Sequence, residues 1–163
     1  MTQYSFRTTW RFQAPIEQVW AAIRNYEAWP SWWDAVVEAR QLAPSDADGR
    51  GEVVRFGFRT RLFYHIRFIL TVTDAQPPSE LTGQATGQLS GTGRWRLRED
   101  AGGTVVRYAW DVSTTRRWMN LLGPIARPAF NWNHDWVMER GYVGLSRLIA
   151  DQAEQTPGRS KQP

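Results

Sequence analysis

The sequence predicts an α+β fold in which a curved antiparallel sheet wraps one long C-terminal helix. Three observations predict it. Residues 128–153 carry an apolar pattern of helical period. Seven shorter stretches before them read as strands, six of them by alternation of apolar and polar residues, the mark of half-buried strands. Compact turn signals join the last six of those stretches, so consecutive strands must pair antiparallel.

The first strand covers 4–12, with Tyr4, Phe6, Thr8, Trp10 and Phe12 on one face and Ser5, Arg7, Thr9 and Arg11 on the other. Pro15 then occupies the first helical position and Glu17 its first turn. Val19, Trp20 and Ile23 share a core-facing side of this short helix, which ends near Arg24 or Asn25. The stretch 26–34, YEAWPSWWD, reads as a second short helix or turn because Pro30 opposes a regular strand. A strand follows over 35–41, and 43–51 (APSDADGRG) is a hairpin loop by composition.

Val54, Phe56 and Phe58 mark the next strand, and Thr60-Arg61 a tight turn. Leu62, Tyr64, Ile66, Phe68, Leu70 and Val72 alternate through a long strand that ends before the Gln76-Pro77-Pro78-Ser79 turn. Leu81, Gly83, Ala85, Gly87 and Leu89 form the inward side of the following strand. These side chains are small, so open space is expected above them. Ser90-Gly91 is the expected reversal, then Gly93, Trp95 and Leu97 point inward opposite Arg94, Arg96 and Arg98. Residues 99–103 (EDAGG) signal a hairpin, and Val106, Tyr108, Trp110 and Val112 alternate in the last strand. Residues 115–127 are expected to be a loop with one helical turn.

The long helix is expected to start at Pro128. At ~1.5 Å per residue it spans roughly 39 Å. Phe130, His134, Val137, Met138, Gly141, Leu145 and Leu148 fall within an arc of ~100° that should face the sheet. Each strand has one apolar face, and this helix is the only element large enough to cover them all. Such a sheet gripping a helix is a helix-grip fold, with a cavity where the sheet curves away. Residues 1–154 are expected to form one domain and 155–163 a disordered tail.

Composition narrows the chemistry. Ten tryptophans bring aromatics to 13%, which favours a concave apolar site over a thin core. The chain has no cysteine, which excludes disulfides, thiolate metal sites and cysteine nucleophiles. Its two histidines, His65 and His134, are too few for a multi-histidine metal site, and no metal or other cofactor is expected. The net charge of +4 permits an acidic partner or nucleic acid. However, Arg94, Arg96 and Arg98 lie opposite the aromatic face, whereas single-strand binding wants both on one surface. No nucleic-acid partner is therefore expected. No run approaches a membrane span, the N-terminus lacks a signal-peptide core, and a cytoplasmic location is the expectation.

Three groups of residues resemble a known family. They are Ala14-Pro15-Ile16-Glu17-Gln18-Val19-Trp20 after the first strand, the Trp32-Trp33 pair, and Asn133-His134-Asp135-Trp136-Val137-Met138 with Gly141. The chain resembles the START-like (SRPBCC) superfamily, and within it the polyketide cyclase/dehydrase-like group, over roughly 3–153. The resemblance implies the helix-grip fold and a buried site for a hydrophobic small molecule. Whether a reaction is catalysed stays open, because fold does not fix function.

His134 lies on the apolar stripe and should point into the cavity. It is either a general acid/base or ligand hydrogen-bonding group, or a structural histidine held by a neighbour. Tyr64, Trp95, Tyr108 and Trp110 are inward by alternation, and Met138 lies on the helix stripe. They are cavity walls for a lipid-, sterol- or aromatic polyketide-like ligand, or plain core. Arg127 projects on the same side of the helix and could hold an anionic group at the mouth, or be a solvated loop arginine. Asn131 borders the stripe and could orient a ligand oxygen, or serve the helix start. Trp132 and Trp136 fall on the far side. They either pack beneath the 115–127 loop or form an exposed strip for a partner, such as a second copy in a homodimer. Binding of a hydrophobic small molecule is thus the leading reading, with a cyclase/dehydratase-type enzyme using His134 as the alternative.

Overall fold

The computed structural model describes residues 3–61, 64–115 and 123–155, with side chains for all but 123–126 of these. Among the described residues, seven strands and three α-helices follow one another as β1 (Gln3–Phe12), α1 (Ile16–Arg24), a 3-10 turn (Tyr26–Ala28), α2 (Trp29–Trp32), β2 (Val36–Ala43), β3 (Val53–Arg59), β4 (His65–Gln76), β5 (Glu80–Gly87), β6 (Leu89–Asp100), β7 (Gly103–Thr114) and α3 (Gly123–Gln155). The strands form one antiparallel sheet in the order β1-β7-β6-β5-β4-β3-β2. The two helices after β1 carry the chain across to the far edge. Five hairpins then walk it back until β7 pairs with β1, from Gln3 opposite Ser113 to Phe12 opposite Thr104. This is the helix-grip arrangement.

The sheet bends at register shifts in β2 and between Val72 and Asp74 of β4. The β4 shift inserts Thr73, so Ala75 rather than Asp74 packs towards the core. On the concave side, Trp10, Phe12, Phe56, Leu81, Trp95 and Trp110 join Val19 and Ile23 of α1 and Phe130, Met138 and Leu145 of α3 in one buried cluster. The stripe on α3 faces this core as its spacing predicts. Among the described residues, no helix is long and apolar enough to cross a membrane.

Three expectations need correction. α3 begins at Gly123, not Pro128. Pro124 supplies the first-turn proline, and Pro128 sits inside the helix, where the missing N–H removes one i→i−4 bond. The reversal between β5 and β6 occurs at Gly87-Gln88 rather than Ser90-Gly91. Gly87 adopts a φ of 114°, open to glycine at little cost, so Leu89 begins β6. Gly91 instead lies within β6, where a Cβ would fall 2.1 Å from the Asp111 carbonyl oxygen. Thirdly, the expected space above β5 is filled, because Leu70 of β4 lies over Gly83 with its side chain 2.9 Å from where a Cβ would be. The expected tail, most of the expected 115–127 loop, and Leu62 and Phe63 lie outside the described residues.

Candidate functional site

Where the sheet curves away from the N-terminal half of α3, a cavity of about 130 Å³ remains. β1 supplies Tyr4 and Phe6, α2 and the residue after it supply Trp29 and Trp33, and β3 and β4 supply Phe56, Phe58, Ile66 and Phe68. β6 and β7 add Leu89, Trp95, Tyr108, Trp110 and Val112. α3 closes the space with Phe130, Asn133, His134, Val137 and Met138. Backbone periodicity explains the wall. Phe56 and Phe58 sit two apart on β3, as do Tyr108 and Trp110 on β7, so each pair faces the helix.

Several contacts hold this frame. The Trp33 indole donates to the Val137 carbonyl at 2.8 Å, tying the C-terminal end of α2 to α3. The Trp95 and Tyr108 rings stack at 4.1 Å between centroids. Asn133 is buried, and its Oδ1 accepts the Arg61 backbone N–H at 2.9 Å, which pins the end of β3 against the helix. The Thr60 hydroxyl donates to the Tyr64 carbonyl at 2.6 Å.

His134 stacks on Phe6 with centroids 4.1 Å apart and planes within 7°. Its Nδ1 lies 3.7 Å from Asp135 Oδ1, too far for a hydrogen bond but close enough for attraction. Its Nε2 is buried and meets no hydrogen-bond partner among the described residues. Burial pushes its pKa down to about 4, against the weaker upward pull of Asp135, so the imidazole is neutral at physiological pH. The Tyr4 hydroxyl is likewise buried without a partner among the described residues. Burial raises its pKa, and the Arg127 charge opposes that in part. Tyr108 is raised well above the ordinary tyrosine value by burial. All three groups are therefore uncharged at neutral pH.

Among the described residues, no group of three or more histidine, aspartate or glutamate side chains could hold a metal ion. The site offers apolar walls, one imidazole and a few hydroxyls. It can enclose a hydrophobic molecule and orient it through one or two polar atoms.

A family model described as polyketide cyclase / dehydrase and lipid transport matches residues 3–149. The chain belongs to this family. Among solved structures, the polyketide cyclase/dehydrase fold of this chain is similar to the Zhui aromatase/cyclase from Streptomyces sp. R1128, with 14% identity, a TM-score of 0.74, and 98% of this chain and 99% of that one covered. A START superfamily protein from Mycobacterium smegmatis is similar at 15% identity and a TM-score of 0.71, covering 93% of this chain and 99% of that one. The di-domain aromatase/cyclase BexL of the BE-7585A biosynthetic pathway gives 21% identity and a TM-score of 0.71. The alignment takes in 92% of this chain but only 50% of BexL, so the chain spans half of that protein. No curated protein matches the sequence with significance.

Of the residues singled out from the sequence, Trp95, Tyr108, Trp110, His134 and Met138 line the cavity of this cyclase/dehydrase-family chain. Three do not. Tyr64 precedes the first residue of β4, so strand alternation does not govern its side chain, which is half-buried outside the lining. Arg127 and Asn131 are exposed on α3. The β3 end comes over the other flank of the helix, and Asn133 takes the polar position there. Sequence reasoning missed Tyr4 and Phe6 as site residues, although their alternation with Trp10 and Phe12 placed them inward. It also missed Trp29 and Trp33, whose placement depends on a one-turn helix that no periodicity reveals. Trp132 remains 46% exposed beneath the Arg61 guanidinium, 4.4 Å from its ring centre. Trp136 is half-buried, with Arg140 4.9 Å away.

Proposed function

We propose that this protein binds a lipid-, sterol- or aromatic polyketide-like hydrophobic molecule, part of which is seated between the sheet and α3. The observation that carries the reading is the cavity itself. A ring of aromatic side chains is left around unfilled space in a core that elsewhere packs closely, and unfilled space costs dispersion contacts unless something occupies it. The family, which spans cyclases, dehydrases and lipid transport, agrees with it.

Trp29, Trp33, Trp95 and Trp110 all line the space, so a ligand should perturb their emission. Titration with fatty acids, sterols and aromatic polyketides is expected to give saturable quenching for at least one class. A flat response across all three classes counts against the reading.

One observation favours a second reading as a cyclase or dehydratase. His134 is neutral, and it and Tyr4 both line the cavity. A neutral imidazole beside a phenol can take a proton from carbon while the phenol steadies the developing enolate oxygen. Once a substrate turns over, His134→Ala is expected to lower kcat by about 10²-fold or more. Unchanged turnover removes His134 from the chemistry.

A further inference from the structure

We propose that the convex side of the sheet carries a second binding site, centred on Arg107, that takes the phosphate monoester or diphosphate group of a small molecule. It lies across the sheet from the hydrophobic cavity and shares no lining residue with it. It stands whatever the cavity holds.

Strand register builds the centre. Arg107 of β7 stands directly opposite Arg96 of β6 on one side and Thr9 of β1 on the other. The diagonal positions of the same face hold Arg94 and Arg98 on β6, and Arg7 and Arg11 on β1. Five of the six cross-strand neighbours of Arg107 are therefore arginines, and none is an acid. Like charges directly opposite one another on paired strands are destabilising. Each of the surrounding arginines has an acid to lean on. Asp111 holds Arg7, Asp100 lies beside Arg11 and Arg98, and Glu80 beside Arg94 and Arg96. Arg107 has no hydrogen bond or ion pair among the described residues.

A groove turns this cluster into a place where a ligand can sit. It measures about 270 Å³ and is lined by Gln76 and Ser79 at the β4–β5 turn and by Arg96, Arg98 and Arg107. Val105 lines it too while staying only 2% exposed, as expected beneath the apolar stems of the arginines around it. Among the described residues, Glu80 is the one carboxylate on the lining, so positive charge is in surplus there. Glu80 accepts only from Nε of Arg96, at 3.0 Å. The two terminal nitrogens of that guanidinium are left without a hydrogen bond among the described residues. A guanidinium is a planar fork that fits two oxygens of one phosphate.

Charge density chooses the ligand. A phosphate monoester carries about −1.5 to −2 at pH 7 on three acceptor oxygens, which answers several guanidinium groups gathered at one point. A simple carboxylate brings a single charge. A nucleic-acid backbone brings single charges strung along a line, and the outlying arginines that would follow such a line are already held by acids. The uncharged polar groups of the groove are also engaged. The Ser79 hydroxyl donates to the Gln76 carbonyl at 3.0 Å, and the Gln76 amide donates to Asp74 at 3.0 Å. The arginines therefore supply the donors.

The test titrates the intact chain with pyrophosphate and with acetate by calorimetry, at pH 7.5 in 150 mM sodium chloride. Pyrophosphate is expected to saturate one site per chain, and acetate to give no measurable binding. Arg107→Gln should weaken pyrophosphate by about tenfold or more. Arg40→Gln removes the same charge from an exposed position on β2, at the other edge of the sheet, and should leave the affinity unchanged. Thermal melting adds a second readout. Without ligand, Arg107→Gln should melt no lower than the parent, because it relieves repulsion among like charges. Pyrophosphate should raise the melting temperature of the parent and not that of the variant. Absence of saturable binding, equal losses in the two variants, or acetate binding as tightly as pyrophosphate overturns the proposal. A ligand-free Arg107→Gln that melts lower than the parent also overturns it, by making Arg107 a structural contact. Capture by phosphatidylcholine vesicles containing one fifth phosphatidate, with no binding of pyrophosphate, overturns the small-molecule assignment in favour of a lipid headgroup.

Discussion

At the scale of single residues, His134 links the cavity to acid stability. Its folded pKa of about 4 lies below the usual 6.5, so as pH falls the unfolded chain takes up the proton first. The stability tied to the neutral imidazole is complete above pH 6.5 and is lost as pH drops towards 4, a change of about 3 kcal/mol. Asp74 and Asp111 have lowered values, so their contribution is present above the ordinary aspartate value of 3.8 and fades below it. The two windows hardly overlap. Urea unfolding at pH 7.5 and 4.5 should therefore show a smaller drop for His134→Phe than for the parent, whatever their stabilities at pH 7.5. Equal drops would place the imidazole in water. The inward aim of this residue was legible in the sequence, because helical spacing set it among Phe130, Met138 and Gly141. Its protonation was not, since that depends on Phe6 lying flat against it from a strand more than a hundred positions away.

At the scale of elements, α3 packs closely against α2 and the tryptophan that follows it. A Cβ on Gly141 would stand 2.6 Å from a Trp33 ring carbon, and one on Gly144 would stand 1.6 Å from the Trp32 carbonyl oxygen. Alanine usually improves a helix over glycine by about 1 kcal/mol. Here overpacking should reverse the sign. Gly144→Ala meets backbone that cannot rotate away, and is expected to cost about 3 kcal/mol or more. Gly141→Ala meets a side chain and should cost less, while moving Trp33 and weakening ligand binding. Thermal or urea unfolding of both variants checks the order. Most strands were readable because period-two alternation survives along much of their length, as in β1 and β6. The helix start was not, because two prolines four residues apart, Pro124 and Pro128, both look like first-turn signals and only the chain's contacts choose between them. The β5–β6 reversal was hidden for a similar reason: glycines at 87 and 91 both suit a turn, and the pairing of Gly91 with Val112 decides the matter.

For the whole molecule, the two sides of the sheet have separate chemistry. The convex side of β1, β7 and β6 carries Arg7, Arg11, Arg94, Arg96, Arg98 and Arg107. Acids neutralise much of it: Asp111 pairs with Arg7, Asp100 with Arg11 and Arg98, and Glu80 with Arg94 and Arg96. Single-stranded DNA is therefore expected to bind weakly, without saturation, at 150 mM salt, as fluorescence anisotropy of a labelled oligonucleotide would report. Saturable, strongly salt-dependent binding would refute this. The other side is greasy, and its hollow has an unusual foundation. Trp110, one of its walls, lies directly on Gly93, with ring carbons 2.8 Å from the place a methyl would occupy, and Leu70 rests on Gly83 in the same way. Two hydrogens on the strand floor thus fix how far the furniture above can sink. Enlarging either by one carbon would lift an indole or an isobutyl group into the chamber, so the capacity of this container is adjustable from positions that no guest ever touches.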